Sequence, residues 1–357
     1  MFSRRVAVVR AVHAQSSQHQ VLEVQYGETK AQAINYPPLT GAAAPGDHVL
    51  INTMAEELQL GSGGYHFVLA NLAALEHTSQ GSGHIMKLRY TPQQIRVLAA
   101  EEEASPHHAL LAEVDSVAGM PVIVAELHSM LAPFCLALKA KKPALRLAYL
   151  MTDGGALPAF FSNTVRVLKE RQIICGVITA GHAFGGDLEA VNIYSGLLAA
   201  RHVLAADVTV VCMGPGVAGT GTPFGFSGME VADNLNRTYS LEGRPIVLPR
   251  LSFADRRRRH QGISHHTLTV LSRGALVPVD VPLPVLAAEE NELLTRQLTA
   301  AGLDSKHHIF WYDDLTLAPL AAEQHLCRTM GRSLPDDPAF FLAAVAAAEH
   351  VSLLTEN

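Results

Sequence analysis

The chain has 357 residues, 48% of them hydrophobic and 17% charged, which is enough to bury a sizeable core and excludes a disordered chain. A net charge of −6 argues against broad electrostatic binding to nucleic acid. Four cysteines, Cys135, Cys175, Cys212 and Cys327, stand in apolar or helical contexts without a CxxC pair, so buried reduced thiols are expected rather than a disulfide or zinc framework.

The opening segment MFSRRVAVVRAV is too short and too soon polar for a secretory signal. No apolar run approaches the ~18 residues of a membrane span. A cytoplasmic location with no membrane partner is expected.

Residues 1–76 read as a small β-rich domain. Short runs at 6–12, 21–26, 31–36, 48–53 and 65–71, separated by turn signals, fit a small barrel or sandwich. Gly61-Ser62-Gly63-Gly64 is a turn before the last run. The basic residues here, Arg4, Arg5, Arg10 and Lys30, are few and not interleaved with the aromatics, so nucleic acid is a disfavoured partner. Residues 77–118 read as a connector, with a helix over 91–103 and a second starting at Ser105-Pro106, where proline suits the first turn.

Residues 119–357 read as a Rossmann-like α/β domain with a helical tail. The apolar runs at 121–125, 145–150, 173–179 and 208–212 are continuous rather than alternating, and helix-length segments separate them. That is the pattern of a mostly parallel sheet with helices on both faces. Residues 188–204 predict one helix. Residues 245–248, 265–271 and 276–281 predict further strands, and 288–300, 319–330 and 337–354 predict the helices of the tail.

In an open parallel sheet, ligands bind outside the carboxyl ends of the strands, where helices begin and present free N–H groups. Four consecutive runs here end in polar or glycine-bearing loops, which together predict one cleft. The first carries Glu126 and His128, the second Thr152, Asp153 and Gly154, and the third His182, Asp187 and Glu189. The fourth carries Gly214, Gly216, Gly219, Thr220, Gly221 and Thr222, with Ser227 and Glu230 following. His182, oriented by Asp187, is the expected proton carrier, because a free imidazole titrates near pH ~6.5. Asp153, His128 and Glu189 are the further catalytic candidates.

The glycine segment 214–228 is a candidate anion cradle. No Lys-Ser or Lys-Thr follows it, and Pro215 interrupts Gly214-x-Gly216-x-x-Gly219, so no dinucleotide cofactor is implied. Arg257, Arg259 and Ser264 are expected to form a further wall, since guanidinium groups suit phosphate and carboxylate. His260, His265 and His266 are candidates for a divalent metal, although their spacing matches no standard zinc signature.

The segments HIMKLRYT from His84 to Thr91, AELHSM from Ala125 to Met130 and MTDGGALP from Met151 to Pro158 belong together with 181–194, 219–228 and SHHT from Ser264 to Thr267. In these segments, over about residues 5–285, the chain resembles a bacterial family known as domain of unknown function 3866. The resemblance implies a bacterial origin and no activity. The residues themselves lead to the expectation of an enzyme, a hydrolase or transferase, acting on a small phosphorylated or carboxylated metabolite. The alternatives are a non-catalytic small-molecule or nucleotide sensor and, behind it, a nucleic-acid-associated protein acting through the N-terminal barrel. A homo-oligomer stays open.

Overall fold

The computed structural model describes residues 2–58, 63–78 and 81–355. Internal contacts divide the chain into two units, Met1–Arg96 and Val97–Asn357.

The first unit is a closed barrel. Its strands are β1 (Arg4–Gln15), β2 (Gln20–Tyr26), β3 (Thr29–Asn35), β4 (His48–Asn52) and β5 (Tyr65–Asn71), in the order β1-β2-β3-β5-β4. All five strands correspond to the apolar runs of the sequence. Only β3 and β5 pair in parallel. β1 is longer than the run at 6–12 because register shifts at Val9/Ala11 and Val12/Ala14 bend it, and a bent strand can pair with both β2 and β4. Small and branched side chains, among them Ala7, Val9, Leu22, Val24, Val49, Ile51 and Val68, fill the interior. Of the turn at 61–64, Gly61 and Ser62 lie outside the described residues, while Gly63 and Gly64 take φ of 73° and 82°.

The stretch after the barrel holds two short strands, β6 (Ile85–Lys87) and β7 (Ile95–Val97), and not the helix expected over 91–103. Its end is drawn into sheet pairing instead. Ala99 bridges Glu189 in parallel, and the Ala100 amide donates to the Glu189 carbonyl at 2.7 Å.

The second unit is a parallel sheet covered by helices. In chain order it contains β8 (Pro121–Ala125), α1 (Leu131–Lys141), β9 (Leu147–Thr152), α2 (Asn163–Glu170), β10 (Gly176–Ala180), β11 (Leu188–Ala190), α3 (Ile193–His202) and β12 (Val208–Met213). Then follow α4 (Glu230–Ser240), β13 (Arg244–Leu248), the small antiparallel pair β14 (Leu251–Ser252) and β15 (Gly262–Ile263), and α5 (His265–Thr269). The unit ends with β16 (Asp280–Pro284), α6 (Ala288–Ala300), β17 (His308–Tyr312) and α7 (Pro338–Leu354). The eight strands lie in the order β11-β10-β9-β12-β8-β13-β16-β17, with every pair parallel. β9 and β12 are buried at every position, which is why their sequences are apolar without alternation. The chain leaves β8 toward β11, returns to β12 beside β8, and then leaves on the other side toward β17. The direction of winding therefore reverses around β8, where a doubly wound sheet opens its binding crevice.

Several expected elements take another form. The helix expected over 188–204 is the edge strand β11 followed by α3, which starts where the Asn192 side chain accepts the Ser195 amide at 3.1 Å. The strand expected at 265–271 is α5 running into a single π turn at Val270–Gly274, with Ser264 as N-cap. The strand expected at 276–281 begins only at Asp280. The helix expected over 319–330 shrinks to Ala318–Ala321 and a 3₁₀ turn at Gln324–Leu326. β17 was not foreseen, although its sequence HIFWY carries the branched and aromatic signal of a strand. The terminal helix α7 is apolar on all sides and buried along most of its length, packing on β16 and α1. No helix among the described residues is long and apolar enough to cross a membrane. Cys135, Cys212 and Cys327 are buried free thiols as expected, but Cys175, in the turn ahead of β10, is exposed.

Candidate functional site

The carboxyl ends of β10, β9, β12, β8 and β13 form one edge, and the loops leaving them meet there. At the end of β9, the carboxylate of Asp153 accepts the His182 amide at 2.9 Å, which joins the β9 and β10 loops. Gly181 makes this approach possible. Its φ is 64°, and a Cβ there would sit 2.2 Å from the Asp153 oxygen. The next junction is closer still. The Ala156 amide donates to the Pro215 carbonyl at 2.8 Å, and a Cβ on Gly155 would fall 2.4 Å from the Gly214 carbonyl oxygen. Because both obstacles are backbone, Gly155→Ala is expected to cost about 2–3 kcal/mol and lower Tm by roughly 5–10 °C. An unchanged melting curve would show that the two loops are not clamped in this way.

Glu230 opens α4 and turns back over the β9 loop. Its Oε1 accepts from the Thr152 hydroxyl at 2.5 Å, and Gly154 leaves the space its other oxygen occupies. Burial pushes its carboxyl up to about 7, with the neighbouring Asp153 charge adding to the rise and the Thr152 hydrogen bond opposing it. Asp153 itself is exposed.

The segment 214–228 is a hairpin rather than a row of unengaged amides. Thr220 N donates to Gly225 O at 2.8 Å, Ser227 N to Ala218 O at 2.9 Å, and Ala218 N to the Ser227 hydroxyl at 3.1 Å. Thr220 and Thr222 link their hydroxyls at 2.9 Å across the tip. The amides of Gly216, Gly219 and Gly221 make no hydrogen bond within the described residues. The guanidinium carbon of Arg259 lies 3.8 Å from the side-chain position of Gly221, and no carboxylate of the described residues pairs with Arg259. A cation thus stands beside the tip of a hairpin whose glycine amides are not used in its own hydrogen bonds.

On the other side of the hairpin, the end of β8 carries Glu126, which is 4% exposed. Its Oε1 accepts from Arg250 Nη1 at 3.1 Å and from His266 Nδ1 at 2.5 Å, while Oε2 has no partner. Arg250 continues to Asp255 at 3.7 Å, which Arg257 grips through Nε at 3.0 Å and Nη2 at 2.8 Å. The hydrogen bonds from Arg257 outweigh burial and hold the Asp255 carboxyl well below the usual carboxylate range. Arg332 and Asp337 close the network at 2.9 Å, with the Ser252 hydroxyl on Asp337 at 2.7 Å. Three carboxylates therefore face three guanidinium groups, and this neutral cluster ties the chain from β14 to α5 onto the end of β8.

That chain bears the histidines. His260 and His266 are buried and His265 half-buried, with ring centroids 4.3–5.1 Å apart. His260 Nδ1 pairs with the Ser264 hydroxyl at 2.8 Å, and His266 stacks flat on Phe226 at 3.8 Å. Burial and the nearby Arg250 and Arg257 charges press the His260 imidazole down to about 3, and burial also lowers His265. A lowered proton affinity keeps the lone pairs of both rings available for ligation.

Other expected residues serve the scaffold. His128 has both nitrogens engaged, by Ser162 at 2.6 Å and Tyr149 at 3.3 Å, and burial pushes it down to about 4 despite a hydrogen bond at the Met213 backbone. Glu189 accepts from the Thr179 hydroxyl at 2.6 Å and the Gly185 amide at 2.7 Å, which shapes the β10 loop from within. Asp187 binds the Lys169 ammonium and the Val177 amide, at the amino end of β10. The loop after β10 returns the chain to the amino end of that strand before β11 begins, so Asp187 is bonded there and does not orient His182. Arg250 and Asp255, which tie the histidine segment to the end of β8, carried no local signal beyond lying among arginines and histidines.

A groove of about 520 Å³ opens on the opposite, amino edge of the sheet, between Arg244, Asp280 and His308. Its one buried carboxylate is already matched. Burial acts to raise Asp280, but His350 at 2.9 Å, Arg244 at 2.6 Å and His308 at 3.1 Å bind it and hold it down at about 2. The amino ends of parallel strands also lack the helix N-termini that favour anions, so the carboxyl edge is the better candidate.

No curated protein and no solved structure matches the chain. From residue 32 to residue 348 it matches the family described as "Protein of unknown function (DUF3866)", and the chain belongs to that family.

Proposed function

We propose that the protein is an enzyme, a hydrolase or transferase, acting on a small phosphorylated or carboxylated metabolite at the carboxyl edge of its parallel sheet. Glu230 carries this reading. A carboxyl raised to about 7, beside the exposed Asp153, can take and return a proton near neutral pH. A buried carboxyl with a raised proton affinity beside a second carboxylate is a recurrent acid–base arrangement. Arg259 and the glycine amides that the hairpin does not use supply the complement for an anion. His182, whose amide is bonded to Asp153, would serve as a further proton carrier.

The test is a thermal-shift screen of phosphorylated and carboxylated metabolites against their neutral counterparts, followed by incubation of the hits and analysis for product. Only anions are expected to stabilise the protein. Arg259→Ala is expected to weaken the hit about tenfold or more, the scale of a charge-assisted contact worth roughly 1.5–3 kcal/mol. Equal stabilisation by neutral analogues would remove the anion site, and a tight ligand returned unchanged would remove the enzyme.

A further inference from the structure

We propose that His260, His265 and His266 form a binding site for one first-row divalent cation, with zinc as the reference ion, whose open coordination position faces the glycine hairpin. Each imidazole offers one nitrogen, and these atoms lie within 4.8 Å of one another. In a tetrahedral site with bonds of ~2.1 Å the ligands stand about 3.4 Å apart, so the rings must turn inward to bring all three onto one ion.

The hydrogen bonds around the rings select the ligating atoms. Glu126 holds Nδ1 of His266 and Ser264 holds Nδ1 of His260, which leaves Nε2 of each for a metal. Carboxylates and hydroxyls at the far nitrogen commonly fix the tautomer and aim of a ligating imidazole. Phe226, stacked on His266, restrains that ring further.

A separate observation points to an ion. His265 Nε2 is buried without any hydrogen-bond partner. Orphaned polar atoms are uncommon in folded proteins and ask for a reason, and a cation bound at Nε2 removes the deficit. Three imidazoles without thiolate favour zinc, copper, nickel or iron over magnesium and calcium. Three protein ligands also leave a position for water or a ligand oxygen, as in sites that act rather than merely brace. The side-chain position of Gly219 lies 3.6 Å from His266 Nε2, so the metal would stand under the hairpin beside Arg259. The proposal goes beyond the anion-binding reading and stands without it, because metal binding is measured directly.

The test uses the full-length chain stripped with a chelator, titrated with Zn²⁺ by calorimetry and with Co²⁺ by visible absorption. One ion per chain is expected. His265→Ala and His265→Gln are each expected to lower the affinity by at least about tenfold. His48→Ala, on an exposed histidine of β4, is expected to leave it unchanged. Absence of saturable binding overturns the proposal, and so does wild-type affinity in both His265 variants. Should those variants fail to fold, X-ray absorption at the zinc edge of the wild-type protein decides the matter. Three imidazole ligands support the site and fewer overturn it.

Discussion

Arg250→Met is expected to destabilise the protein by about 3–5 kcal/mol, because it removes one partner from a buried ion pair and leaves the other behind. The side chains of Arg250 and Glu126 are 7% and 5% exposed, so solvent does not take over the lost contact. Methionine fills similar volume, which separates the charge effect from a cavity effect. Glu126 would keep only His266, and Asp255 would lose one of the guanidinium groups around it. Urea denaturation of both proteins measures the difference. The double variant Arg250→Met, Glu126→Leu should recover part of the loss, since a buried pair replaced by apolar side chains is often tolerated. A cost below about 1 kcal/mol, the range of exposed pairs, would mean that this network is solvated and does not hold the histidine segment.

The parallel sheet was legible because burial on both faces leaves no polar positions along a strand, as in LAYLMT and VTVVCM. Loop positions followed, since the strand ends determine which side chains reach the edge, and Asp153, His182 and the glycine segment do meet there. Two kinds of feature stayed hidden. The first is tertiary pairing of weak segments. β11 has three residues and exists because it lies against β10, so its sequence reads as the start of α3. That misreading put Asp187 on the wrong edge. The second is long-range polar contact. Glu126 and His266 are 140 residues apart, and neither has a local sign of the other. The arginine run likewise looked like one wall, whereas Arg257 is tied to Asp255 and Arg259 faces Gly221. The Ser264 cap was available in the sequence, and a serine ahead of His265 and His266 is a helix start rather than a strand. Reading 265–271 as a strand missed it.

Glu230→Gln is expected to stabilise the protein at pH 8 by roughly 3 kcal/mol and, on the proposed function, to abolish turnover. The folded carboxyl titrates at about 7 against the ordinary 4.5. Between these values the folded state keeps a proton that the unfolded state has lost. Stability of the wild type therefore falls as pH rises through this window, and the whole cost is present above pH 7. Glutamine is neutral throughout, keeps an oxygen for the Thr152 hydroxyl, and matches the shape of the protonated acid. The two proteins should be equally stable near pH 4 and diverge up to pH 8, and taking the difference cancels the other titrating groups. Urea denaturation at pH 4.5, 6 and 8 checks this, and a difference that does not change with pH would place the Glu230 titration in the ordinary carboxylate range. Combined with intact ligand binding, the expected result would mean that the chain keeps at this position a buried acid that lowers its stability at neutral pH, as a proton-transferring group does and a scaffold residue has no reason to.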